Sequence, residues 1–340
     1  WEAYVRAEEA KRRNLIEKIG NVIYRTTSSM RTMLASFDLP PAFRQGALVT
    51  LSNPFISAKS VKAGLKAGLS PASMLKMEQD IADLPYTALG VSQGLSIAEV
   101  GGARTRREEA YQSSYVDRVP GIRMSERNYT TYLNMARALL FNKLCADLAK
   151  TGEPTKAEAE MIAKFVNNAT GRGSLGEFEM SSKALAVVFF APRYAMSRLN
   201  YVAGAFRALG EAATFFQFTA PETRRARKMV AREYAKTMMG AATVYGAYIA
   251  LKAALGEDDE DDQIELDPTK YDFGMLRIDG IGRDFFGGTL QASVYFARMA
   301  TYGYRGATGQ LGPNDRQNIW DTTTRFLRGK LSPAAAAVVD

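Results

Sequence analysis

A mainly α fold is predicted: a multi-helix bundle with one long helix at about 221–255 and a small β-hairpin at about 273–286. Three observations point there. Apolar residues recur at the three- to four-residue spacing of an amphipathic helix over most of the 340 residues. Helix caps, with Ser or Thr at the start, Pro just inside and Gly just beyond the end, punctuate the chain. Only after an acidic run, Glu257 to Asp262, does the apolar period shift to the alternation of a strand. With 46% apolar and 24% charged residues, the composition excludes wholesale disorder.

From the N-terminus, Leu15, Ile19, Val22, Ile23, Met30, Met33 and Leu34 keep helical spacing until Pro40 and Pro41 stop the pattern. Short helices are expected at 42–51 and 58–69. Ser70 reads as an N-cap with Pro71 at the first helical position, opening a helix to about Ala82. Glycines and short polar groups between Tyr86 and Arg123 predict loop with short helices. Ser125 is expected to cap a stronger helix through Leu133, Ala136, Leu140, Leu144 and Leu148, closed by Gly152. Thr155 with Glu158 forms a capping box for a helix ending near Asn168, and Gly171 to Ser174 is a turn. The apolar tract Ala184 to Ala191 leads to Pro192, which starts or kinks a helix reaching Leu209.

Thr219 and Glu222 suggest a second capping box, and the helix they open meets no breaker before Gly256. At about 1.5 Å per residue it is a rod of roughly 50 Å. Beyond the acidic run, Phe273 to Phe286 has the form of a hairpin turning on Asp279-Gly280. Helices near 290–302 and 314–328 follow. Three regions result: 1–152, helical; 153–256, helical with the long apolar helix; and 257–340, acidic linker, hairpin and last helices. The chain opens at Trp1 in helix-like sequence and stops on apolar Ala334 to Val339, so a segment of a longer polypeptide, or a protein trimmed or only partly ordered, is expected.

Residue types narrow the chemistry. There is no histidine and one cysteine, Cys145. A Ser-His or Cys-His nucleophile, a zinc site, a haem held by histidine and an intrachain disulfide cannot be assembled from this chain alone. Carboxylates remain: Asp267, Asp272, Asp279 and Asp284 could pair for acid–base work. Asp279 and Asp267-Pro268 are equally well explained as turn residues. The acidic run lacks the alternating ligands and turn glycine of a calcium loop, and Gly171-Arg172-Gly173 is a weak candidate for an anion nest. No catalytic residue, metal or cofactor is therefore expected within this segment.

The net charge of +8 favours polyanionic neighbours, nucleic acid or an anionic membrane surface. Arg104, Arg106 and Arg107, and Arg224, Arg225, Arg227 and Lys228, are the phosphate-contact candidates, with Tyr111, Tyr115, Tyr129 and Tyr132 near enough in sequence to stack on bases. Acidic neighbours such as Glu108 and Glu109 make solvated faces the competing reading. In the long helix, residues 237–251 carry no charge, a stretch short of the about 20 residues that span a bilayer. Ala242, Gly246 and Ala250 place small residues four apart, a spacing that lets helices approach closely. Two readings stand: a central helix buried in a soluble bundle, or one arm of a membrane-inserting hairpin with Ala184 to Phe206.

Several tracts gain meaning from their order. They are Ser36-Phe37-Asp38, Phe43-Arg44-Gln45-Gly46, Ser52-Asn53-Pro54, Ala169-Thr170-Gly171-Arg172-Gly173, and Phe189-Phe190-Ala191-Pro192-Arg193 with Ser197-Arg198-Leu199. Asp267-Pro268, Asp272-Phe273-Gly274, Arg283-Asp284 with Gly287-Gly288, and Arg325-Phe326-Leu327 with Lys330-Leu331-Ser332-Pro333 complete the set. Together they resemble the C-terminal conserved helical region of very large tailed-phage polyvalent proteins, some of them internal virion proteins of DNA ejection. The resemblance runs from about Ser36 to Pro333.

The resemblance implies a structural protein packed inside the virion, in the capsid, portal or tail lumen. It would be ejected with the genome into the host envelope or cytoplasm, forming or lining a DNA conduit as a homo-oligomer. Phage genomic DNA and portal or tail proteins are the implied partners, with a host membrane as a further one. Any enzymatic module would lie upstream. The alternative is a DNA-binding or antirestriction module acting after DNA entry.

Overall fold

The computed structural model of the chain describes residues 41–98, 120–174, 176, 191–255, 264–278 and 281–331. It is mainly helical with one small antiparallel hairpin, as the periodicity predicts. After a 3₁₀ turn at Pro41–Phe43 come α1 (Ala47–Ser52), α2 (Pro54–Leu69), α3 (Pro71–Ala82), α4 (Thr87–Ser92), α5 (Pro120–Ala149) and α6 (Lys156–Ala169). Then follow α7 (Pro192–Ala213), α8 (Arg224–Leu255), β1 (Leu276–Ile278), β2 (Ile281–Arg283), α9 (Thr289–Ala307) and α10 (Asp315–Arg328). The expected helix at 1–36, Arg104, Arg106, Arg107, most of the tract 184–191, the acidic run and the Asp279-Gly280 turn lie outside the described residues.

Local signals place most helix ends. Ser70 accepts a hydrogen bond from Ser73 N at the start of α3. At α6 the capping box is complete: Thr155 Oγ1 accepts from Glu158 N at 3.2 Å, and Glu158 Oε2 accepts from Thr155 N at 3.0 Å.

Three expectations need correction. α5 begins at Pro120 rather than at a Ser125 cap, because proline serves as a first helical residue. The Thr219–Glu222 capping box does not form. The chain instead enters α8 through a 3₁₀ turn at Pro221–Thr223, and Thr219 is drawn inward with its hydroxyl unpartnered among the described residues. The hairpin is shorter than 273–286: its register pairs Leu276 with Arg283 and Ile278 with Ile281, leaving Phe273 and Phe286 outside the ladder.

The main core gathers Leu140, Phe141, Leu144, Cys145 and Leu148 of α5 with Ile162, Phe165 and Val166 of α6, Tyr201 of α7 and Tyr234 of α8. Leu133, Ala136, Leu140, Leu144 and Leu148, the stripe the sequence marks, are all buried. Its neighbour α2 lies closely along α5 because Gly64 offers no side chain: a Cβ there would stand 2.5 Å from Asn128 Oδ1. Burial pushes the Cys145 thiol up to about 12.

Polar residues on α5 turn inward to hold the segment before it. Asn134 both accepts from Ala98 N at 2.9 Å and donates to Ala98 O at 2.6 Å. Asn142 accepts from Tyr86 N at 2.7 Å, and buried Arg137 donates to Ser96 O, Thr170 Oγ1 and Thr170 O. These bonds replace the backbone partners that an irregular buried segment lacks.

Candidate functional site

Four tracts of the family resemblance, those holding Arg44-Gln45, Ala169, Arg198 itself and Gly287, converge on one side chain. Arg198 of α7 is 2% exposed. Its Nε donates to Gly287 O at 2.8 Å, and its Nη2 to Gln45 O at 2.9 Å and Arg44 O at 3.0 Å. Nη1 reaches Asn168 O and Ala169 O, each at 3.4 Å. The guanidinium also lies over the Tyr194 ring at 4.6 Å, and Tyr194 OH donates to Gly287 O at 2.5 Å. One planar fork thus ties the entrance to α1, the end of α6, α7 and the loop before α9.

Backbone geometry is matched to that fork. Gly287 has φ +59°, and a Cβ there would collide with the Arg44 carbonyl, so only glycine offers its own carbonyl to Arg198 this way. Asp284 fixes the same loop, accepting from Phe286 N at 2.8 Å and Gly288 N at 3.0 Å. Burial raises the Asp284 carboxyl above the usual range, against the pull of those two amides, Arg198 and Lys330. Burial likewise lowers the Lys330 ammonium, with Asp284 opposing it.

A second polar node joins α1, α2, α5 and α8. Asn53, from the Ser52-Asn53-Pro54 tract, donates to buried Glu233 Oε2 at 2.7 Å and accepts from Lys143. Lys236 completes the node on Glu233. Burial lowers Lys143, while nearby Glu233 raises it.

Beside these nodes lies an apolar cavity of about 470 Å³, lined by Leu48, Val202, Phe206, Met238, Phe273 and Leu290 among others. Tyr201 OH and Thr237 Oγ1, 2.7 Å apart, are satisfied by each other at its wall. Thr289 Oγ1, also at the wall, has no hydrogen-bond partner among the described residues.

The basic candidates at the start of α8 are drawn into the fold. Arg225 grips buried Glu158 through Nε at 2.9 Å and Nη2 at 2.8 Å, and also donates to Gly152 O and Glu153 O. Burial alone would raise Glu158, but hydrogen bonds from Arg225 and the Thr155 amide bring it below its ordinary value. Arg227 pairs with Glu211 at 2.6 Å, and Arg224 donates to Thr219 O at 3.1 Å. Lys228 is exposed, 5.8 Å from the Phe216 ring centroid.

Tyr132 is fully buried against Ser57, so it presents no face for stacking. The amides of Gly171, Arg172 and Gly173 donate to Asn168 O, Asn167 O and Arg193 O, which leaves no anion nest there. Asp272 is paired with Arg277 at 3.0 Å, and Asp267 closes a turn on Thr269. Among the described residues no group of acidic or thiol side chains could hold a metal ion.

The second half of α8 is not the enclosed helix that a soluble bundle suggests. Ala242, Gly246 and Ala250 are exposed, and so are Met238, Met239, Ile249 and Leu251. No described helix is long and apolar enough to cross a membrane.

Arg198 and Asn53 were visible only as members of tracts and Glu233 in none, because backbone carbonyl acceptors and partners 180 residues apart leave no mark in a sequence. The chain matches no family model, no curated protein and no solved structure.

Proposed function

We propose that this chain is a structural component of a tailed-phage internal virion or ejection assembly. It is delivered with the genome and forms or lines a DNA conduit in the portal or tail lumen or in the host envelope. The observation that carries the reading is the outer face of α8. Residues 237–251 hold no charge, yet Met238, Met239, Ile249 and Leu251 stay exposed beside the small residues Ala242, Gly246 and Ala250. A chain that works as one of many copies has a use for such a face; an isolated globule does not. Two further features support it. Four of the tracts meet at the Arg198 hub, and Asp267, Asp272 and Asp284, the described carboxylates considered for catalysis, are committed to turns and an ion pair.

The alternative, a DNA-binding or antirestriction module, draws on the +8 charge. It is the weaker reading, since Arg225 and Arg227 spend their donors on Glu158 and Glu211. Quantitative mass spectrometry of intact and DNA-emptied particles of the encoding phage tests the proposal. The chain should be present in intact particles and depleted after ejection; equal retention in both would remove the ejection role. Salt-sensitive duplex binding that is lost in the R224A/R225A/R227A variant would favour the alternative.

A further inference from the structure

The turn that ends α7 is closed by an aromatic residue where glycine is the usual occupant. Phe216 N donates to Glu211 O at 2.7 Å and Phe215 N to Ala212 O at 2.9 Å, the paired bonds of a Schellman C-cap. Phe215 and Phe216 both take left-handed backbone, with φ 50° and 59°. For bulky residues that conformation is strained, and strained residues of this kind cluster at functional sites. Phe216 is half-buried, but core packing does not account for Phe215, which is 81% exposed, and Phe218 beyond it is 87% exposed.

Charge borders these rings. Lys228 and Arg232 are exposed one helical turn apart on the same face of α8, and neither is ion-paired to a described residue. Arg207 is also exposed but is shared with Glu211, and Glu222 is the exposed acid nearby. Two protruding rings on a turn whose Phe216 ring lies 5.8 Å from the exposed Lys228 ammonium, with exposed Arg232 one turn further along α8, match the boundary of an anionic bilayer, where aromatic side chains enter the acyl edge and Lys or Arg meets phosphate. No described helix is long and apolar enough to cross a membrane, so this contact is peripheral.

We infer that the Phe215–Phe218 turn, with Lys228 and Arg232, is a docking element for an anionic phospholipid surface. It rests on the turn's own geometry, independently of the virion assignment, and a failure here leaves that assignment standing.

The test is co-sedimentation of the full chain with vesicles of phosphatidylcholine alone and of phosphatidylcholine with phosphatidylglycerol. Wild type should bind the anionic vesicles and release them as salt rises. Phe215→Gly and Phe218→Ser should each weaken partitioning by about tenfold, while Phe215→Gly melts at a higher temperature than wild type because the strain is gone. A chain that ignores both vesicle types, or a double variant that binds like wild type, overturns the inference. So does a Phe215→Gly chain that melts lower, or ring loss that dissolves a self-associated species without changing vesicle binding.

Discussion

Replacing Arg198 by methionine should cost more stability than any other single change in the hub. Methionine keeps the apolar stem and approximate volume but removes every donor. Of the three short bonds, the one to Gly287 O is partly covered, since Tyr194 OH still donates there at 2.5 Å. Arg44 O loses its 3.0 Å bond from the guanidinium, and Gln45 O loses the one that reached it at 2.9 Å. Two part-buried carbonyls that each lose a bond from a charged donor cost about 1.5–3 kcal/mol each, so a loss on the order of 4 kcal/mol is expected. At about 2–4 °C per kcal/mol, the midpoint should fall by roughly 10 °C in a thermal melt followed by far-UV circular dichroism. Arg198→Lys should recover less than half of the loss, because an ammonium cannot reproduce the planar fork. A methionine variant melting within about 2 °C of wild type would show that the hub does not hold these segments together.

Other consequences are as direct. Gly64→Ala puts a methyl against Asn128 and should destabilise by about 1–3 kcal/mol, measured by urea unfolding; a neutral result would mean α2 and α5 can separate freely. Cys145 is fully buried with its thiol raised to about 12, so a thiol reagent at pH 8 should label it only at the rate of unfolding. Immediate labelling of native protein would contradict that core. Glu158 is held below its ordinary value of 4.5, so its pair with Arg225 stabilises the fold above that pH and is lost as pH falls through the depressed value. The stability gap between wild type and Arg225→Ala should accordingly be wide at pH 7 and shrink as the pH falls below 4.5; a gap independent of pH would place the effect elsewhere.

What the sequence revealed depended on how local the cause was. Ser70 and the Thr155–Glu158 box could be read because donor and acceptor sit within one helical turn. The same signature at Thr219 and Glu222 misled, since Pro221 favoured a 3₁₀ entry and tertiary burial claimed Thr219. The Arg198 hub was hidden for the opposite reason: its Arg44 acceptor lies 154 residues away, and any residue supplies a carbonyl. The uncharged run 237–251 was plain, but a pattern of apolar residues does not say whether a neighbour covers them; the described residues leave much of that face open. Phe215 carried a readable clue, a bulky residue just past the end of a helix where glycine is expected.

Locating the chain in situ by cryo-electron microscopy of infecting particles tests the account most directly. Several copies carrying the α7–α8 pair and its neighbours should appear on the portal or tail axis before ejection and in the host envelope afterwards. A polypeptide found only as a free monomer in infected cytosol, and never within purified particles, would contradict it.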